Sequence, residues 1–156
     1  MRIILTMEHA VQRWMGLDFG DRRIGVAVSD ELEITVQPVL TLIRSNRKQD
    51  LKSLQRLIRK YHCTNIVVGN PLYMSGDQSP QAAKAQAFAA MLHEATGLPV
   101  HLWDERLTTT EAHRHLHAAG RAGSAHKDVV DQVAAVLILE SYLAAAKTGR
   151  KKLSAS

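Results

Sequence analysis

Cysteine is almost absent. Cys63 is the only one in 156 residues, so no internal disulfide can staple the chain, and a reducing compartment such as the cytoplasm is expected. Aromatics are scarce at 4%, so the core has to be built from Leu, Ile, Val and Ala. No run reaches the roughly 18 apolar residues of a membrane span. The start, Met1 to Leu5, lacks the apolar stretch and small-residue cleavage site of a secretion signal. A membrane partner is therefore not expected. There are no internal repeats and no domain linker.

What is present suits one compact domain. Hydrophobic residues make up 46% and charged residues 22%, which is enough for a core and argues against wholesale disorder. The length fits a single domain over residues 1–147, followed by a basic, disordered tail at 148–156. The net charge of +5 favours polyanionic partners, because Lys and Arg displace counterions from phosphates. That surplus is too modest to decide the partner alone.

Residues 1–11 read as an irregular leader, and the pattern sharpens from Trp14. Trp14 to Phe19, Ile24 to Ser29 and Ile34 to Ile43 read as strands joined by short turns. Gln49 to Tyr61 then has apolar residues at helical spacing, Leu51, Leu54, Leu57, Ile58 and Tyr61, with a basic opposite side. Asn65 to Gly69 is a fourth strand. Ser79 and Pro80 open a second helix as N-cap and first residue, and Gly97 and Pro99 stop it. Val100 to Trp103 is a fifth strand. Thr108 and Glu111 have capping-box spacing for a helix ending at Gly120. A last, mostly apolar helix is expected from about Ala125 to Ala146. Strand–helix–strand crossovers pair in parallel. A five-stranded mixed sheet with helices on both faces is the economical α/β solution.

Three acids stand out against this frame. Asp18 interrupts the apolar strand Met15-Gly16-Leu17-Asp18-Phe19. Strand interiors disfavour Asp, and a buried carboxylate needs a partner: a base, a set of N–H groups or a metal. The alternative is a turn-capping Asp. Glu105 follows the fifth strand in Trp103-Asp104-Glu105-Arg106, and strand carboxyl ends are where open α/β sheets hold ligands. The alternative is a pair of solvated loop acids beside an Arg. Asp131 sits in the apolar stretch Val129-Val130-Asp131-Gln132-Val133-Ala134-Ala135, where Ala134 and Ala135 allow close approach to a sheet. A helix-dipole role is the alternative, and Asp128 competes one turn earlier. Carboxylate oxygens suit Mg²⁺ or Mn²⁺ rather than zinc. Two such ions can clamp a phosphodiester and activate water.

These residues lie in blocks that resemble the YqgF-type family, the pre-16S rRNA nucleases also called Holliday-junction-resolvase-like proteins. The blocks are Leu17-Asp18-Phe19-Gly20 running into Arg23-Ile24-Gly25-Val26-Ala27-Val28-Ser29-Asp30, then Val67-Val68-Gly69 with Pro71-Leu72 and Gly76. Asp104-Glu105-Arg106-Leu107-Thr108-Thr109 follows, and Asp131, Ala134-Ala135, Leu137-Ile138-Leu139 and Tyr142-Leu143 complete the set. The resemblance implies a ribonuclease-H-like fold and a metal-dependent nuclease. Its catalytic and metal-binding acids would be Asp18, Glu105 and Asp131, holding Mg²⁺ or Mn²⁺, two ions in all. The implied role is trimming the 5′ end of pre-16S ribosomal RNA; resolution of branched, four-way DNA is the alternative. A non-catalytic RNA-binding assembly factor is a further alternative, and a monomer or homodimer is expected. The loop departs from its relatives, with Tyr73 and Ser75 where Asn and Asp are usual.

Arg106 and Lys127 adjoin the acids in sequence and are candidates for phosphate neutralisation, with a salt bridge to the carboxylates as the alternative. Arg22 and Arg23 are candidates for holding a nucleic-acid backbone, and Tyr73 for stacking on a base.

Overall fold

The computed structural model describes residues 11–108 and 127–155, with side chains for all of these except 127, 128 and 150–155. Three strands come first: β1 Trp14–Phe19, β2 Arg23–Ser29 and β3 Val36–Ile43. Helix α1 Arg47–Tyr61, strand β4 Asn65–Asn70 and helix α2 Pro80–Thr96 follow. Strand β5 Val100–Asp104 runs into a 3-10 turn at Glu105–Leu107, and helix α3 Lys127–Ala155 closes the described chain.

The strands form one sheet in the order β3-β2-β1-β4-β5. β1, β2 and β3 pair antiparallel, whereas β4 joins β1 in parallel and β5 joins β4 in parallel. The ribonuclease-H-like architecture expected from the sequence is therefore present. β1 lies at the centre because both of its faces are apolar. Met15, Leu17 and Phe19 pack with Leu54, Leu57 and Ile58 of α1 and Phe88 and Leu92 of α2. Trp14 packs with Val67 and with Ile138, Leu139 and Leu143 of α3 on the other face. Alternate residues of a strand point to opposite faces, so β1 serves two cores at once.

Strand ends differ from the sequence reading by one residue at β2, β4 and β5, and three larger boundary differences have a physical cause. β3 starts at Val36 rather than Ile34. The Asp30 carboxylate accepts from the backbone N–H of Ile34 at 2.7 Å and of Thr35 at 3.2 Å, which holds both in a turn containing Glu33 at φ 58°. α1 starts earlier, at Arg47, because Asn46 caps it by accepting from Gln49 N at 2.9 Å. α3 continues to Ala155, where a helix ending near Ala146 and a disordered tail were expected. The Lys, Arg, Leu and Ala that follow are good helix formers, and cations are favoured at a helix C-terminus. α2 begins and ends as expected, capped by Ser79 with Pro80 in its first turn and terminated by Gly97 at φ 73°. The expected Thr108–Gly120 helix falls almost wholly on 109–126, outside the described residues.

α3 also corrects the reading of hydrophobic runs. Val129–Gly149 is long and apolar enough to cross a membrane by length and composition. Its Ala135, Ile138, Leu139 and Leu143 are nonetheless buried against the sheet. The approach is very close: a Cβ at Gly16 would lie 2.9 Å from the Ala135 carbonyl oxygen and 2.7 Å from Leu139 Cβ.

Candidate active site

The site is built at the end of β1. Gly16 faces α3, so Asp18, two residues on, projects to the same face. Across β2, Asp18 pairs in register with Gly25. A Cβ at Gly25 would sit 1.9 Å from the Asp131 carbonyl oxygen and 3.1 Å from Asp131 Cβ. The first turns of α3 thus rest directly on the backbone of β2, and this carries Asp131 beside Asp18. On the other side, the β1–β4 ladder runs through Leu17 and Val68, which puts Gly69 next along from Asp18. A Cβ at Gly69 would lie 3.1 Å from the Glu105 carboxylate carbon and Oε2. Two glycines therefore clear the space on either side of Asp18, and the neighbouring acids occupy it. A lone glycine inside an apolar strand is a signal of close approach. Neither glycine was picked out as a site residue by sequence reasoning.

The electrostatics follow from this crowding. Burial, reinforced by the charge of Asp131, pushes the Asp18 carboxyl up to about 7. Burial, reinforced by Asp18 and Asp104, pushes Glu105 up to about 7. No hydrogen bond or ion pair reaches the carboxyl of Asp18 or of Glu105 among the described residues. Asp131 differs: its Oδ2 accepts from Arg23 Nε at 2.8 Å. Among the described residues, no group of three His, Cys, Asp or Glu side chains is arranged to hold one ion. The donor set fits an oxygen-preferring divalent cation at Asp18 and Glu105, where two half-buried like charges lack a counter-charge among the described residues. Asp131 adjoins them while bound to Arg23.

The other expected residues are distributed as follows. Arg22 is exposed on the β1–β2 turn. Arg23 is the partner of Asp131. Arg106 is held by Asp104, with Nε at 3.0 Å from each carboxylate oxygen and Nη2 at 2.6 Å from Oδ2. This contact holds Asp104 below the usual carboxylate range. Arg106 Nη1 also donates to the Met74 carbonyl at 3.2 Å, and its guanidinium lies against Gly76. Arg106 therefore ties the 71–78 loop to the site, and the salt-bridge alternative describes its contacts. Asp104 was missed as the residue that caps the 3-10 turn and holds Arg106. Tyr73 is 53% exposed and Met74 86% exposed at the loop tip. Lys127 opens α3, but its side chain lies outside the described ones, as does the candidate helix cap at Glu111.

The chain is similar to known proteins. A family model described as "RuvX: Holliday junction resolvase" matches residues 12–145. A protein of Koribacter versatilis described as "Putative pre-16S rRNA nuclease" is 47% identical over 131 residues, covering 84% of this chain and 86% of that one. A protein of Halothermothrix orenii with the same description is 46% identical, covering 84% and 94%. Among solved structures, Thermus thermophilus RuvC in complex with a Holliday junction substrate superposes with a TM-score of 0.58. It is 13% identical and covers 88% of this chain and 97% of that one, a likeness of fold.

Proposed function

We propose, from the premise that this chain belongs to the family described as RuvX, Holliday junction resolvase, that it is a metal-dependent nuclease that trims pre-16S ribosomal RNA. The RNA substrate is taken from the description that its 46–47% identical relatives carry. One observation carries the chemistry. Two half-buried carboxyls without donors among the described residues, Asp18 and Glu105, adjoin at the carboxyl end of parallel strands, each raised to about 7. Isolated in protein they would take up protons; a divalent cation would keep both ionised.

In this reading Asp18 and Glu105 hold Mg²⁺ or Mn²⁺, and Asp131 completes the set after exchanging Arg23. Two ions are the expected complement. When bound, they supply Lewis acidity toward the phosphodiester and a water nucleophile available at neutral pH. The chain's own residues supply position. Gly25 and Gly69 set the spacing of the acids, and Arg23, once released from Asp131, is placed to meet a phosphate oxygen. Arg22 on the adjoining turn and Tyr73 on the loop contact the substrate strand. Arg106 and Lys127 border the site, Arg106 by anchoring the loop. The chain acts as one domain in the cytoplasm, consistent with a single cysteine that is buried.

The test is cutting of a precursor 16S rRNA 5′ leader and of a synthetic four-way DNA junction, with Mg²⁺ or Mn²⁺, against Asp18→Asn. Cutting of RNA that disappears with EDTA and in the variant is expected. Cutting confined to the junction would transfer the reading to resolution. RNA binding with no cutting by the unaltered chain would make it an assembly factor.

A further inference from the structure

A second feature shares the β1 end with the acid pair but opens on the opposite face. Phe19 follows Asp18 and points away from α3, into the core formed with α1 and α2. Beside it, between the β1–β2 turn, the start of α1 and α2, lies a cleft of about 330 Å³. The buried Phe19 and Phe88, with Met91, form its floor, and the cations Arg44, Arg47 and Lys84 line it together with the acids Asp21 and Asp50.

The cations are held in different ways. The Arg44 guanidinium lies over the Phe19 ring at 4.4 Å, and Phe19 stacks on Phe88 at 4.2 Å. Arg44 Nε donates to the buried Asp50 at 3.3 Å, and its Nη1 donates to the Gly20 and Asp21 carbonyls at 3.1 and 3.2 Å. It is therefore a rigid, flat cation with one ring-like face already backed by an aromatic. Lys84 reaches Asp21 at 3.0 Å in an exposed pair, an interaction of the weak kind that a phosphate can replace. Arg47 is exposed and has no ion-pair partner among the described residues. The three cations exceed the two acids of the lining by one, above an apolar floor. Its volume lies at the small end of ligand pockets, about 300–1,000 Å³. A flat base against a guanidinium plane and a phosphate on two exposed cations matches that chemistry.

We propose that this cleft binds one nucleotide of the substrate strand. The base sits against Arg44 and Met91, and the phosphate is held by Arg47 and Lys84. From there the strand crosses the Gly20–Arg22 turn, past the exposed Arg22, to the acid pair on the other face. The identity of the strand rests on the nuclease reading above; the cleft and its charge do not.

The test uses the full chain in EDTA, so that binding is measured without cutting. The probe is a fluorescein-labelled single-stranded oligoribonucleotide, followed by anisotropy across a range of salt. Ala87→Glu places a carboxylate on an exposed position of the cleft lining, and binding is expected to weaken about tenfold or more through repulsion of the phosphate. Arg47→Ala with Lys84→Ala is expected to flatten the slope of log K against log salt by about 0.7 for each phosphate no longer neutralised. Arg59→Ala, in the last turn of α1, removes a cation outside the cleft and should leave binding unchanged. The proposal is overturned if both cleft variants bind like the unaltered chain, or if Arg59→Ala weakens binding as much. Cleft variants that bind poorly, alongside an unaltered chain that cuts neither RNA nor junction, would refute the nuclease reading and keep the cleft. Normal cutting with indifferent cleft variants would refute the cleft alone.

Discussion

Asp18 is the residue on which the chemistry turns. Its carboxyl is raised to about 7 by burial and by Asp131, so the folded chain holds that proton more tightly than the unfolded chain does. The penalty for ionising it in the fold is absent below about pH 4, grows as pH rises and is complete above about 7. Asp18→Asn removes that penalty. In EDTA at pH 8 the variant should melt several degrees above the unaltered chain, and at pH 4 the two should melt together. Calorimetry at the two pH values checks this. The same substitution should abolish cutting, so a gain in stability accompanies a loss of function. Because ligation needs both carboxylates ionised, affinity for the ion, and with it cutting at limiting ion, should rise with pH and level off above about 7. Arg106 offers a second prediction. Arg106→Ala removes its bonds to Asp104 and to the Met74 carbonyl, so amide hydrogen exchange at 73–76 should quicken while the β1 amides stay protected. Unchanged exchange in the loop would show that other interactions hold it.

Elements were more legible than the site they build. The short apolar run of β1 and the Ser79-Pro80 start of α2 carry their own signals in the sequence, and both stand as expected. β3 was read two residues long because Ile34 looks like a strand residue, while the bonds that withdraw it come from Asp30, four residues earlier. The glycines were the largest omission. Gly25 and Gly69 each look like ordinary strand glycines until α3 and the 3-10 turn arrive from distant parts of the chain. Only tertiary packing reveals that they make room for Asp131 and Glu105. Gly25→Ala is the sharpest test at this scale. Its Cβ would lie 1.9 Å from backbone, so α3 has to move. Destabilisation of about 3 kcal/mol is expected, at the upper end for overpacking, together with loss of cutting. Urea denaturation measures the first. A stable variant that still cuts would show that the start of α3 need not rest on β2.

For the whole molecule, the sequence indicated the class of partner but not where it binds. The surplus of five positive charges suits a polyanion, yet Arg23 and Arg106 are both engaged by acids in the fold. Arg44 and Arg47, beside the start of α1, meet Lys84 at a cleft that the chain's spacing did not foretell, because Lys84 reaches it only through the packing of α2. A bound ion couples back to the fold as a whole. At pH 8 and a concentration a hundredfold above its Kd, a single Mn²⁺ should stabilise the native state by about 2.7 kcal/mol. That gain should shrink toward pH 5, where both acids hold their protons.

Calorimetric titration of Mn²⁺ into the unaltered chain and into Asp18→Asn at pH 8 tests the central claim most directly. An ion seated on the acid pair predicts saturable binding in the first and its loss, by at least tenfold in affinity, in the second. Equal affinity in both would mean that the carboxyls of β1 and the 3-10 turn are not where the ion resides.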